Sequence, residues 1–265
     1  MRLFAKKSLG QHFLNSTHVL EQIIQASELD EGELVLEIGP GTGVLTTALL
    51  KTGARVIAIE KDVRAKEVLQ ERFAQELKTG QLELIEGDVL NDQLPLMSKK
   101  SETYSIVANI PYYITGAILE KFLEHAPRPT KMVLLVQKEV AERIIARDGK
   151  ESILSISVKA FGTPTLVAKV PPGAFTPPPT VDSAILKIDS ITDNLFAQNN
   201  VDIQAFFKIV KAGFAHKRKY ARRNLESIYP LEIIDSVWAK TTLDPQIRPE
   251  DMTVLNWITL AQHLL

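Results

Sequence analysis

Between residues 34 and 136 short apolar runs alternate with amphipathic stretches, and few architectures accommodate that alternation. Leu34–Ile38, Arg55–Glu60, Leu82–Glu86, Tyr104–Ala108 and Met132–Val136 read as strands. Val44–Lys51, Val63–Leu77 and Ala117–Glu124 read as helices between them, with Thr17–Ala26 and Lys138–Ala146 on either side. Strands linked by crossover helices run parallel, and a parallel sheet is covered by helices on both faces. The pattern changes near residue 150. Val158–Val170 and Ser183–Ile188 read as strands flanking a proline-rich bend, Pro171 to Pro179, which predicts an antiparallel hairpin closing the sheet. The expected fold is α/β, a Rossmann-like, mostly parallel sheet. Residues 190–200 are polar and turn-rich, as in a linker. Ile203–Ala215, Ala221–Ser227, Leu231–Ala239 and Val254–His263 then read as helices. Two domains are expected, 1–190 and a small all-helical one at 200–265.

The 265 residues include no cysteine, which excludes disulfides, thiolate metal sites and cysteine nucleophiles. His12, His18, His125, His216 and His263 show no metal-ligand spacing, so no metal is expected. Met132–Val136 is too short an apolar run to cross a membrane. Arg2, Lys6 and Lys7 precede the first acid, Glu21, the charge bias of a transit peptide. A motif described below occupies that stretch, and a cytoplasmic location is expected. Formal net charge is −1, so any contact with a polyanion must come from local clustering of cations.

Val35-Leu36-Glu37-Ile38-Gly39-Pro40-Gly41-Thr42-Gly43 sets three glycines between a strand and a helix. The dinucleotide fingerprint needs its third glycine at position 44, where this chain has Val44. A carboxylate at Glu37 would repel a pyrophosphate but not a sulfonium-bearing amino acid. Glu60 ends the second strand, 21 residues beyond Gly39, where a carboxylate can accept from two ribose hydroxyls. Asp88 follows the third strand and can accept from an adenine amino group. Each acid alone reads as a solvated strand end, but three at successive strand ends mark a cofactor site.

Asn109-Ile110-Pro111-Tyr112 follows the fourth strand on the same sheet edge. The amide oxygen of Asn109 and the carbonyl of Ile110 can accept both N–H bonds of a base amino group, aiming its delocalised lone pair and stabilising positive charge on nitrogen. Pro111 fixes the backbone, and Tyr112 offers a face to a flipped base. The plainer alternative is a strand-ending turn over a packed aromatic. Phe175, in Phe175-Thr176-Pro177-Pro178-Pro179-Thr180-Val181-Asp182-Ser183-Ala184, is either the opposite wall of a base sandwich or a buried anchor for the bend.

If Ile203–Leu225 is one continuous helix, Lys208, Lys211, Arg218, Lys219 and Arg222 share a sector of about 100°. Such a single-sign stripe is either a solvated helix face or a row of phosphate contacts.

Taken together these stretches resemble the ribosomal RNA adenine dimethyltransferases, in particular the bacterial small-subunit type. Lys7-Ser8-Leu9-Gly10-Gln11-His12-Phe13-Leu14 resembles the family's N-terminal signature, which implies cofactor contacts at His12 and Leu14. The glycine loop from Glu37 to Gly43 matches, as do Glu60, Asp88, Asn109 to Tyr112, and the late motif from Phe175 to Ala184. Between His216 and Leu225, Tyr220-Ala221 interrupts a segment that in the family is basic and then Thr-Leu. The resemblance implies a class I methyltransferase sheet with a helical C-terminal domain and S-adenosylmethionine as cofactor. Cofactor contacts are expected at His12, Leu14, Glu37, Gly39, Gly41, Gly43, Glu60, Asp88 and Asn109, and chemistry at Asn109, Ile110, Pro111, Tyr112 and Phe175. It further implies a monomer that dimethylates the N6 amino groups of two adjacent adenosines in a hairpin near the 3′ end of 16S rRNA, on the assembling small subunit. The rival readings are a large-subunit rRNA methyltransferase of the antibiotic-resistance type and an RNA-binding assembly or transcription factor on the same scaffold.

Overall fold

The computed structural model describes residue 6 and residues 10–91, 103–125 and 127–264. Arg2 and the opening Lys7-Ser8-Leu9 of the N-terminal motif lie outside them. The chain divides into two units, Met1–Ala141 with Pro164–Ile191, and Glu142–Thr163 with Thr192–Leu265.

The first unit is built on a seven-stranded sheet. In chain order its elements are β1 (Phe13–Leu14), α1 (Thr17–Ser27), β2 (Leu34–Ile38), α2 (Val44–Lys51), β3 (Arg55–Glu60), α3 (Val63–Arg72), α4 (Ala74–Thr79) and β4 (Leu82–Glu86). There follow β5 (Tyr104–Asn109), α5 (Thr115–Glu124), β6 (Lys131–Gln137), β7 (Thr163–Val170), β8 (Phe175–Thr176) and β9 (Ser183–Asp189). The strand order is β4-β3-β2-β5-β6-β9-β7. β2 through β6 pair in parallel, with Leu36 beside Ile57 and Ile106, and β9 runs antiparallel to β6. All five residues of β2 are buried, which is why it reads as a continuous apolar run rather than an alternating one. α1 starts where Ser16 Oγ accepts from Val19 N, and its Val19, Ile23 and Ala26 side is buried. At its other end Lys131 Nζ donates to the carbonyls of Ser27 and Glu28, both at 2.8 Å.

Strand order grows from β2 through β3 and β4 on one side, and through β5 and β6 on the other. The carboxyl ends of β2 and β5 therefore flank the point where the winding reverses, the place at which open α/β sheets bind ligands.

The second unit contains α7 (Ile153–Lys159), α8 (Asn194–Asn199), α9 (Ile203–Gly213), α10 (Ala221–Leu225), α11 (Leu231–Ala239) and α12 (Val254–Leu264); α6 (Lys138–Ile144) leads into it. Phe161, Phe196, Phe206 and Phe207 form its aromatic centre, with ring centroids 5.1–6.4 Å apart, and Trp257 is fully buried.

Five expectations need correction. Val63–Leu77 is two helices, broken at Phe73, whose buried ring packs in the core. Val158 belongs to α7, started by reciprocal Ser152–Ser155 capping, and the strand begins only at Thr163. Residues 190–200 are not a bare linker: α8 buries Phe196 in the aromatic cluster, and the helical unit also takes in Glu142–Thr163, which a 1–190 boundary assigns to the sheet. Ile203–Leu225 is not one helix. The buried Asn224 amide donates to the carbonyls of Gly213 (2.5 Å) and His216 (3.1 Å), satisfying the end of α9 and folding residues 214–220 into a turn.

Candidate active site

Four adjacent parallel strands deliver their carboxyl ends to one cavity. It is lined by the Gly39–Thr42 loop after β2, Glu60 at the end of β3, Asp88 beyond β4, and the Asn109–Ile114 turn after β5. Glu37 and residues Gly10–Leu14 complete its wall.

Glu60 sits deeper than an ordinary strand-end acid, at 4% exposure. Oε2 accepts from Gly41 N at 2.9 Å and Oε1 from Asp62 N at 2.8 Å. Burial raises its pKa above the ordinary carboxylate value while these amide donors oppose the rise. Each oxygen keeps a second lone pair for a ligand hydroxyl. Asp88 is the opposite case. Lys61 Nζ, at 2.8 Å, and the Leu90 amide hold its pKa below the ordinary value, leaving a charged acceptor at the cavity rim.

Glu37 is enclosed in β2 with Oε2 lacking a hydrogen-bond partner. Burial, reinforced by the nearby Glu60 charge and opposed by Thr46, pushes its pKa up to about 8. Its unpaired oxygen is left to accept from a ligand donor in the cavity, and a cationic group placed there would draw the pKa down again.

The glycines divide by role. A β-carbon at Gly39 would meet nothing within 4 Å, so the cavity runs up to bare backbone there, and at Gly41 the Phe13 ring takes that space at 3.0 Å. Gly43 is a correction to the expected cofactor contacts. It is absent from the cavity wall, and a β-carbon there would stand 2.6 Å from Phe73 and 2.7 Å from Leu69, so its smallness serves helix packing.

The N-terminal stretch reaches the site as a strap. Phe13 and Leu14 pair with Thr176 and Phe175 in a two-stranded sheet, and Asn15 N donates to Ala174 O at 2.9 Å. Gln11 Nε2 reaches Asp62 at 3.4 Å, and His12 Nδ1 lies 2.8 Å from Pro177 O. Asn109 Nδ2 donates to His12 O at 3.0 Å, which commits the donor end of the amide and leaves Oδ1 as acceptor. Ile110 is buried, and Pro111 accepts from Ile114 N, closing a 3-10 turn over Tyr112–Ile114. The Tyr112 hydroxyl lies 2.5 Å from Ser183 Oγ, and its ring stacks with His12 at a centroid distance of 5.9 Å. Phe175 does not enter the cavity. It is 3% exposed and packs in the core with Leu14 and Ala174, the anchor rather than the wall of a base pocket.

Sequence reasoning misses Gln11, Phe13, Lys61, Asp62 and Ser183. Gln11 and Phe13 carry a signal by lying in the N-terminal motif from Lys7 to Leu14, and Ser183 by lying in the late motif from Phe175 to Ala184. Tyr113 also escapes it, although it directly follows Tyr112. Among the described residues no cluster of three or more His, Cys, Asp or Glu could hold a metal ion, and no helix is long and apolar enough to cross a membrane.

Of the basic residues, Lys208 and Lys211 are on α9, Arg218 and Lys219 in the following turn, and Arg222 on α10. They do not form one helical stripe. Arg222 is ion-paired with Asp235, whereas Lys217, Arg218 and Lys219 stand together as an exposed run.

The arrangement suits a nucleoside-bearing cationic amino acid beside an amide acceptor for an amine. Comparison with known proteins agrees. Residues 3–264 match the model of the ribosomal RNA adenine dimethylase family. A Dehalococcoides mccartyi protein named ribosomal RNA small subunit methyltransferase A is 40% identical, covering 98% of this chain and 88% of its own length. A Nostoc punctiforme protein of the same name is 37% identical over 98% and 94%. The crystal structure of a dimethyladenosine transferase from Plasmodium falciparum superposes with a TM-score of 0.77 at 28% identity, covering 94% of this chain and 96% of that one. The 23S rRNA methyltransferase ErmE follows with a TM-score of 0.73 at 25% identity over 95% and 99%. The chain belongs to the ribosomal RNA adenine dimethylase family and is an S-adenosylmethionine-dependent methyltransferase.

Proposed function

We propose that this protein dimethylates the N6 amino groups of two adjacent adenosines in a hairpin loop near the 3′ end of small-subunit rRNA, acting as a cytoplasmic monomer, without a metal, on assembling small subunits. The observation that carries the reading is the Asn109 amide, its nitrogen bonded to His12 O and its oxygen left to accept from an amine beside the cavity. The names of relatives at 37–40% identity favour the small subunit over the large-subunit alternative.

The residues fit the cofactor. Glu37, with its unpartnered buried oxygen, would hold the amino-acid end, Glu60 the ribose and Asp88 the adenine, while the open space over Gly39 would admit the ligand close to backbone. When bound, S-adenosylmethionine supplies an electrophilic methyl group. The chain's own work is orientation. Asn109 Oδ1 and the Ile110 carbonyl accept the two N–H bonds of the adenine amine, so that its lone pair faces the donor. The same acceptors stabilise the positive charge that develops on nitrogen. For the second methylation one N–H remains, and one acceptor suffices to hold it. Tyr112, its hydroxyl tied to Ser183, supplies a fixed ring against which an extruded base rests. An unpaired loop base costs least to extrude. We assign phosphate contacts to Lys208, Lys211, Arg218 and Lys219, with Arg222 engaged by Asp235.

The test offers the protein, with cofactor, unmethylated small subunits, large subunits and duplex DNA, then digests and weighs the nucleosides. Dimethyladenosine is expected from small-subunit RNA. Its appearance chiefly in large-subunit RNA, or methyladenine in DNA, overturns the proposal.

A further inference from the structure

We infer that Tyr113 is a second stacking platform, which takes the unpaired purine next to the base being methylated. The inference rests on the substrate reading above. Tyr113 is the most exposed of the large apolar side chains among the described residues, at 66%. It follows Tyr112 directly, yet the two rings are used differently. Tyr112 is half-buried, bonded to Ser183 and stacked on His12, whereas Tyr113 stands at the rim of the same cavity.

Its placement is fixed from below. The 3-10 turn that carries it is closed by Ile114 N donating to Pro111 O and by Thr115 Oγ1 donating to Tyr112 O. On one side, backbone at Gly10 comes so close that a β-carbon there would stand 3.3 Å from the ring. An aromatic backed by a strap and held on a rigid turn loses little entropy when a base covers it. A single exposed tyrosine elsewhere on a surface carries no message. This one is contiguous with the pocket where one base of an unpaired pair must enter, and the neighbouring base, pulled from its own stack, needs a new face. Proteins that read single strands supply such faces with aromatic rings. The chemistry recognised is the π-face of an unpaired purine, so the hydroxyl of Tyr113 is dispensable and the ring is not.

The experiment compares wild type with Tyr113→Ala, Tyr113→Leu, Tyr113→Phe and Tyr113→Trp. The apparent Michaelis constant for unmethylated small subunits is expected to rise about tenfold in the Ala and Leu variants and to stay near wild type with Phe and Trp, the scale of losing one base–aromatic stack. In parallel, hairpins with 2-aminopurine at one or other of the two adjacent adenosines are titrated with protein. Wild type, Phe and Trp should quench the probe next to the target base, and Ala and Leu should not. If wild type forms dimethyladenosine while the Ala variant matches it in Michaelis constant and quenching, the inference fails and the substrate reading stands. If wild type forms none, both fall.

Discussion

The side-chain amide of Asn109 donates to the backbone carbonyl of His12 across 3.0 Å, although the two residues are 97 positions apart in the chain. A carbonyl can only accept, so this bond decides which end of the amide faces the cavity. The N-terminal strap thereby sets the polarity of the Asn109–Ile114 turn. Asn109→Ala should reduce methyl transfer by about two orders of magnitude, the scale of losing an oriented polar group at a developing charge. Cofactor affinity should change far less. Equal losses in calorimetric titration and in turnover would instead make Asn109 a structural turn residue.

Glu60 joins two loops as well as lining the cavity, because its oxygens accept from the Gly41 and Asp62 amides. Glu60→Ala should therefore lower unfolding stability by about 1–3 kcal/mol, since two buried amides lose their acceptor. Cofactor affinity should fall by a similar amount. Calorimetry showing unchanged affinity in a folded variant would remove Glu60 from the site.

Glu37 makes stability depend on pH. Its pKa is raised to about 8 in the folded protein from 4.5. Between those values the native state holds a proton that the unfolded chain releases, so stability is greatest below the lower value and is lost as pH rises toward the higher one. The slope for this one group approaches about 1.4 kcal/mol per pH unit. Urea unfolding at pH 5, 6, 7 and 8 should show that decline in wild type and a flatter profile in Glu37→Gln, which keeps a neutral side chain of the same shape. Identical profiles would show that Glu37 stays ionised.

Gly39 and Gly43 should fail in different assays. Both have positive φ, 66° and 77°, so alanine costs about 1–2 kcal/mol of backbone strain at either. At Gly43 the added carbon also collides with Phe73 and Leu69, raising the expected loss by about 1–3 kcal/mol of overpacking. At Gly39 it projects into open cavity space, so ligand affinity is what suffers. Thermal melts and cofactor titrations of the two variants separate these outcomes, and the reverse ranking would exchange the roles assigned to the two glycines.

The sheet is legible in the sequence because β2, β3, β5 and β6 are buried runs of five or so mostly apolar residues, and β2, β3 and β4 end at glycine or an acid. Glu60, Asp88 and Asn109 are legible for the same reason, since strand ends on one edge converge. What escapes depends on contacts that sequence spacing does not carry. β1 and β8 have two residues each, too few for any period, yet they bind the strap to the Phe175 segment. Phe175 resembles a base-stacking ring because the motif around it is rich in proline, and only the packing shows the ring turned into the core. A helix through Ile203–Leu225 is plausible by periodicity. It is broken by a bond from a buried asparagine eleven residues beyond the carbonyl it caps.

That break also decides how the basic residues can be tested. Reversing charge along a single helix would have included Arg222, but Arg222 is bound to Asp235, and its replacement would leave that carboxylate alone. Lys217, Arg218 and Lys219 are exposed in the turn, so reversing all three should leave unfolding stability nearly unchanged. If they meet phosphates, the slope of log affinity against log salt should fall by up to about 0.7–0.9 for each phosphate no longer neutralised. Asn224→Ala provides the structural counterpart. It removes the donors to Gly213 and His216, should cost about 1–3 kcal/mol of stability, and should weaken RNA binding only by loosening the turn that carries the cations. Filter binding to small-subunit RNA over a range of salt, with urea unfolding of the same preparations, distinguishes the two. A salt slope unchanged by the triple reversal would return residues 217–219 to an ordinary solvated surface, whatever the stability data show.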